Sequence, residues 1–399
     1  MAKRSHKVRK QGAGGANVAL PALSSLQALP SFSQLSPSDG QRGAFGGAWA
    51  EEPDVPLGCV VRLDRGFPAI AWEGGLVRAE FSASLTKGDD SRVAVGDWVA
   101  VRVPEGHDKA QLEAILPRES DVARWRGKAR GERQTLAANV DVVLVAQALG
   151  ERALNVDRIA RSAVIARDCG ARVAVVLTKA DRVSREALAA SLAQIRAVLG
   201  SDVPLVVTAA GDKGGDKGVR DFCLGLPDEG SALPSEASVP QDDLLSFGTE
   251  GLLGLVPTGT VAIVLGESGA GMSTLLNALL GSEVLQTGAV RERDDAGRHT
   301  TVARRMVALP RAGVIVDEPG LRSLPLVGHE RGLAKVFPKI SDAACGCRFR
   351  DCTHTHEPGC AVREALAEGA FTPQALDAYL ALAAEMRQSA AQLDPDVVL

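Results

Sequence analysis

The chain has 399 residues, enough for two or three domains with their own cores, and its 45% apolar and 24% charged content is that of a globular protein. A net charge of −4 excludes a molecule basic throughout, so any contact with nucleic acid must come from local patches. No apolar run approaches bilayer length, and the basic N-terminal residues are not followed by a continuous apolar segment, so neither a membrane span nor a secretory signal is expected.

Residues 1–54 read as a disordered basic arm and linker: "MAKRSHKVRK" is followed by a stretch rich in Ser, Pro, Gly and Gln with little periodicity. Two readings stay open for the arm, a solvated tail or a contact to RNA phosphates. Residues 55–117 change to short alternating runs, "CVVRL", "PAIAW", "LVRAEF", "RVAVGDWVAVRV" and "QLEAIL". Five such strands in about sixty residues predict a small OB-like β-barrel, with a turn at Gly96-Asp97. The segment from Pro117 to Gln134 is a basic connector carrying Arg118, Arg124, Arg126, Lys128, Arg130 and Arg133 around Trp125. It is either a solvated linker or a phosphate-contacting surface.

From Asn139 the pattern becomes strand, helix, strand. "VDVVLVA", "RVAVVL", "VPLVV", "TVAIVL" and "GVIVD" are continuous apolar runs, as strands buried on both faces require. Val156, Ile159, Ala160, Ala163 and Val164 follow helical spacing between the first two. A parallel α/β domain over 118–328 follows, with ligand chemistry at the strand ends and a loop insertion at 211–247.

After the fourth of these runs comes "GESGAGMST", Gly266, Glu267, Ser268, Gly269, Ala270, Gly271, Met272, Ser273 and Thr274. The glycines let backbone N–H groups converge on phosphate oxygens, the following helix adds its dipole, and Ser273 offers a hydroxyl to Mg²⁺. The lysine of the phosphate-loop pattern is replaced by Met272. At another strand end stands "TKAD", Thr178, Lys179, Ala180 and Asp181. A carboxylate there accepts the paired donors of guanine, which adenine lacks, while the lysine stem lies against the base. "DEPG" ends the last strand: Asp317 can hold a Mg²⁺ water and Gly320 can offer its N–H to a γ-phosphate. Between them, "GRHTT" supplies Thr300 and Thr301 as sensors of the γ-phosphate through Mg²⁺, and His299 as a candidate for positioning water. The base motif precedes the phosphate loop, so the order of a common P-loop GTPase is circularly permuted, and Asp317–Gly320 leads directly into the C-terminal domain.

That domain, 329–399, holds Cys347, Cys352, His354 and Cys360 in a C-x4-C-x-H-x5-C spacing, with Cys345 and His356 as surplus. Three thiolates and an imidazole make a closed, structural zinc site in a reducing compartment, so one Zn²⁺ and a cytoplasmic protein are expected. Downstream, Leu376, Tyr379, Leu380, Ala383 and Met386 form the apolar stripe of a core helix.

Barrel, permuted GTPase domain and helical zinc-binding domain, in that order, make a multidomain α/β chain that resembles the RsgA family of ribosome small-subunit-dependent GTPases. The resemblance spans roughly 55–390 and rests on "VGDWV", "AANVDVVLVAQA", "TKAD", "GESGAGMST", "GRHTT", "DEPGLR" and "CRFRDCTHTHEPGCAV". It implies late maturation of the 30S subunit, contact with 16S rRNA through barrel and knuckle, and GTP hydrolysis stimulated by the subunit. It departs from the family at Thr178 (usually Asn), at Glu318 (usually Thr) and at Met272 (usually Lys). Losing the lysine's charge-assisted bond costs about 1.5–3 kcal/mol, or roughly 10- to 150-fold in affinity. The alternative is therefore an RNA-binding assembly factor that no longer turns over nucleotide. A zinc-dependent nucleic-acid enzyme is disfavoured by the closed ligand set, and with no dedicated dimer interface a monomer is expected.

Overall fold

The computed structural model describes residues 22–23, 26–64, 67–83, 85, 93–104, 109–126, 132–150, 152–209, 244–267, 269–284, 304–317 and 326–392. The disorder expected for 1–54 does not extend over its second half. A 3₁₀ turn at Phe32–Gln34 and helix α1, Asp39–Trp49, lie within it. Tertiary contacts, which leave no periodic signature, order this stretch. Phe32 meets Trp98 edge-on at 5.9 Å, and Leu35 is buried in the main core. Ser38 and Gln41 form a capping box at the start of α1. The buried Gln41 amide donates to Asn139 Oδ1 at 2.8 Å, and Asn139 donates to the Gly96 carbonyl at 2.9 Å.

The five expected strands form β1 (Leu57–Asp64), β2 (Phe67–Trp72), β3 (Gly75–Phe81), β4 (Trp98–Arg102) and β5 (Lys109–Ile115). They pair in the order β1-β2-β3-β5-β4, and β4 returns to β1, closing the barrel. Only β3 and β5 run parallel. Val60, Ile70, Val99, Val101 and Leu112 fill its interior; full burial of each such side chain stabilises by about 1.5–3 kcal/mol. The predicted turn requires glycine at Gly96, whose φ is +96° and whose added Cβ would stand 2.0 Å from the Ala138 carbonyl.

The basic connector is not a linker. Its residues 121–126 and 132–134 belong to an antiparallel hairpin of β6 (Asp121–Arg126) and β7 (Glu132–Ala138). Arg118, at its base, is committed internally: its guanidinium grips the fully buried Asp97 at 2.7 and 2.8 Å and donates to Thr135 Oγ1 at 2.7 Å. A buried carboxylate needs such a bidentate partner, a demand that the connector's sequence does not display.

The α/β domain contains β8 (Val142–Ala148), α2 (Val156–Asp168), β9 (Arg172–Thr178), α3 (Arg185–Leu199) and β10 (Leu205–Val207). It continues with β11 (Leu245–Phe247), α4 (Gly248–Leu255), β12 (Val261–Gly266), α5 (Met272–Leu280), β13 (Arg304–Ala308) and β14 (Val314–Asp317). The strands order as β11-β10-β9-β8-β12-β14-β13, parallel except for β13. β11 falls inside the stretch expected to be a loop insertion. It is a three-residue edge strand, too short to stand out by pattern. Because β12 follows β11 in the chain yet lies between β8 and β14, the phosphate-loop strand is interior to the sheet, with a parallel strand on each side. β13 also pairs with β1, Arg305 opposite Arg62, which joins the α/β sheet to the barrel.

The C-terminal helices are α6 (Glu330–Val336), α7 (Pro338–Ala344), α8 (Ala361–Ala367) and α9 (Pro373–Ala391). Thr372 caps α9, its hydroxyl accepting from the Ala375 N–H at 3.1 Å, and Pro373 fits the first turn. Leu376 and Met386 of the predicted stripe are buried, with Tyr379, Leu380 and Ala383 packed beside them. This core is continuous with Ile159, Val164 and Ile195 of α2 and α3. At the seam the Asp168 carboxylate meets His329 Nδ1 at 3.0 Å and accepts the Gly332 N–H of α6 at 3.0 Å.

Candidate nucleotide site and metal cluster

The backbone between β12 and α5 takes the shape that converging N–H groups need. Gly271 caps α5 in the left-handed region, φ +82°. A Cβ there would meet Thr178 Oγ1 at 3.4 Å, an ordinary contact, so it is the positive φ and not lack of space that favours glycine. The first intrahelical bond runs from Leu275 N to Gly271 O at 2.9 Å. Helix geometry therefore leaves the N–H groups of Met272, Ser273 and Thr274 without intrahelical acceptors, at the positive end of the dipole. Within the loop, Ala270 N donates to Glu267 O at 3.0 Å. The Met272 side chain is only 7% exposed and joins the apolar cluster that includes Leu144, Ala146 and Leu276.

The end of β9 is tied to this loop. The buried Thr178 hydroxyl donates to the Ala270 carbonyl at 2.5 Å, and Lys179 Nζ donates to the Gly269 carbonyl at 2.6 Å. Lys179 adopts φ +58°, turning the chain into the short 3₁₀ turn Ala180–Arg182, on which Asp181 is exposed. Thr178 thus has a definite task, fastening the phosphate loop to the base motif, that its identity alone does not reveal. The Ala180 N–H donates to the Thr208 carbonyl at 3.1 Å, which brings Thr208 and Ala209 beside the base motif.

β14 delivers Asp317 to the same edge of the sheet, since β12 and β14 run parallel and in register. Its carboxylate lies 4.0 Å from Arg305 Nε, and Arg305 also donates to the Val284 carbonyl at 2.5 Å. Burial lowers the Arg305 pKa, an effect that the Asp317 charge opposes. Ser268, His299, Thr300, Thr301, Glu318 and Gly320 lie outside the described residues.

One participant carries no motif. Arg158, in the first turn of α2, reaches Glu267 of the phosphate loop through its Nη1, forming an ion pair across 109 positions of chain. Only the fold brings these two residues together.

Cys347, Cys352, His354 and Cys360 converge, their ligand atoms all lying within 4.8 Å of one another. Cys347 Sγ stands 3.5 Å from His354 Nδ1 and 4.0 Å from Cys360 Sγ, and Cys360 Sγ is 3.6 Å from His354 Nδ1. A tetrahedron with Zn–S near 2.3 Å and Zn–N near 2.0 Å has edges of roughly 3.5–3.8 Å, so the donors fit such an ion. The surplus residues bond elsewhere. Cys345 Sγ donates to the Ser341 carbonyl at 3.5 Å, and His356 Nδ1 lies 2.9 Å from Thr355 Oγ1. A further residue organises the knuckle: Glu357 accepts from the N–H groups of Thr353, Thr355 and His356 at 2.9, 3.1 and 3.2 Å. The Thr353 hydroxyl and these N–H groups hold its carboxyl well below the usual range. Glutamate within a Cys/His run gives no local sign of this role.

A model of the RsgA GTPase family matches residues 115–217 and 249–327. A small ribosomal subunit biogenesis GTPase RsgA from Streptomyces avermitilis is 38% identical over 338 residues, covering 84% of this chain and 81% of that protein. Among solved structures, YjeQ from Thermotoga maritima superposes with a TM-score of 0.58 at 20% identity, covering 84% of this chain and 99% of the other. YloQ, described as a circularly permuted GTPase, gives 0.56 at 17% identity, covering 85% and 97%. These structures share the fold; the sequence relative settles the lineage. This chain belongs to the RsgA GTPase family.

Proposed function

We infer that the protein is a GTP-binding factor for late maturation of the small ribosomal subunit, which hydrolyses GTP to GDP and phosphate and is stimulated by the subunit. The observation that carries this reading is the direct bonding of the base motif to the phosphate loop, Thr178 to Ala270 and Lys179 to Gly269. That contact lets a single guanine nucleotide span both. Asp181 would select the base, the N–H groups of the loop and of the first turn of α5 would hold phosphates, and Ser273 and Asp317 would hold the Mg²⁺ carried with the nucleotide. Mg²⁺ supplies charge neutralisation to the transferring phosphoryl group. Thr300, Thr301 and Gly320 would sense the γ-phosphate and His299 would position water. Nothing in the comparisons favours the alternative of a factor that has lost turnover.

The same reading assigns one structural Zn²⁺ to Cys347, Cys352, His354 and Cys360, and 16S rRNA contact to barrel and knuckle. Arg348 and Arg350 lie in the knuckle segment, and Phe349 is 41% exposed with the Arg348 guanidinium 5.6 Å from its ring centroid, a pairing suited to RNA. We place the working boundaries at 55–117, 118–328 and 329–399 and take the protein as a cytoplasmic monomer. Among the described residues no helix is long and apolar enough to cross a membrane. The test is GTP hydrolysis with and without purified 30S subunits. We expect slow release of phosphate alone and at least a tenfold rise with subunits; equal rates in both would overturn the reading.

A further inference from the structure

The loop from Gly266 to Thr274 contains one ionisable side chain, and it is acidic: Glu267. With Met272 at the lysine position, the segment that must receive a triphosphate has a formal charge of −1 and no cation of its own. Met272 is turned into the apolar cluster. The nearby Lys179 ammonium is engaged with the Gly269 carbonyl. A carboxylate beside the phosphates opposes the approach of every one of their charges, and a low-dielectric cleft amplifies that opposition.

Glu267 is answered from outside the loop, by Arg158. Arg158 starts from a fixed place, because its own N–H donates to the Asn155 side chain that caps α2 at 3.0 Å. Its side chain is 21% exposed and that of Glu267 is 49% exposed, so the pair lies at the surface and not in the core. The loop is then held at two places, by Arg158 on Glu267 and by the end of β9 on Gly269 and Ala270.

We propose that Arg158 is a positioning residue for the nucleoside triphosphate: by neutralising Glu267 it lets a phosphate loop without its own lysine bind polyphosphate through backbone N–H groups. This rests on the GTP-binding reading above. It predicts a charge-specific pattern. Arg158→Ala weakens GTP binding about tenfold or more, the scale of one charge-assisted interaction. Guanosine, which carries no phosphate, binds Arg158→Ala as it binds the wild type. The loss for GTP shrinks as salt rises, because the exposed Glu267 charge becomes screened.

The decisive variant is the double one. Titrations of fluorescent GTP and competition by guanosine are run on full-length wild type, Arg158→Ala, Arg158→Lys, Glu267→Gln and Arg158→Ala/Glu267→Gln, with thermal melting to establish that each is folded. Recovery of GTP affinity in the double variant to within about threefold of wild type, with partial rescue by Arg158→Lys, is the expected result. A double variant as weak as Arg158→Ala overturns the proposal, since Arg158 would then be contacting phosphate itself or serving structure alone. Unchanged GTP affinity in Arg158→Ala also overturns it. Wild type that binds neither GTP nor guanosine removes the GTP reading itself, an outcome distinct from the other two.

Discussion

The metal cluster and the nucleotide site are both assembled from short motifs, yet they are built on opposite plans. The cluster draws all four ligands from fourteen consecutive residues, Cys347 to Cys360, and its supporting carboxylate, Glu357, lies within the same run. The nucleotide site draws Thr178 from the end of β9 and Lys179 from the turn after it, the phosphate loop from between β12 and α5, Asp317 from β14 and Arg158 from α2. A local site is closed by a handful of turns, which bring its four Cys and His side chains together. A dispersed site exists only when the whole sheet is in register, so each of its parts depends on the fold. Continuity of the core through α2, α3, α6 and α9 then determines how far one region feels the other.

The largest effect is expected from removing metal. Cys352→Ala, or chelation, should take zinc content from one per chain to near zero and unfold the segment between α7 and α8, with losses on the order of the 10–16 kcal/mol that structural zinc supplies in small zinc domains. GTP affinity should change by less than about threefold, because no nucleotide-site residue lies in the knuckle. Zinc by atomic absorption and nucleotide titration of the same sample check both; a parallel collapse of GTP binding would break the distinction between the regions.

A smaller effect probes the seam. Burial works against ionisation of Asp168, but bonds from His329 and Gly332 and the charge of Arg331 prevail and hold its carboxyl below the usual range. A carboxylate whose pKa is depressed by folding contributes stability above its unfolded value, near 3.9, and loses it as pH falls through the lower folded value. Asp168→Asn should therefore cost about 1.5–3 kcal/mol at neutral pH, by denaturant melting. The difference from wild type should shrink below about pH 4. A constant difference down to the acid transition would show that packing, not charge, holds α2 against α6.

Much of this was legible in the sequence, for reasons that can be located. The five barrel strands, the parallel strands β8, β9, β12 and β14 and the converging Cys347, Cys352, His354 and Cys360 are written in local period and spacing. Most of what was not legible depends on partners remote in the chain, Glu357 of the knuckle being the local exception. Residues 32–49 lack periodicity yet fold, because Phe32 meets Trp98 and Gln41 meets Asn139. Arg118 reads as part of a basic connector, solvated or phosphate-contacting, but is bound to the buried Asp97. Arg158 reads as an ordinary helical arginine and becomes part of the site only when α2 stands beside the phosphate loop.

The central claim is that Met272 alters how tightly this loop holds GTP without ending its use as a guanine-nucleotide site. The most direct measurement is titration of wild type and Met272→Lys with fluorescent GTP, GDP and ATP. Saturable binding of GTP and GDP but not ATP by wild type is predicted. With lysine restored, GTP affinity should rise by roughly 10- to 150-fold. No binding of any guanine nucleotide by wild type, or equal binding of ATP, would contradict it.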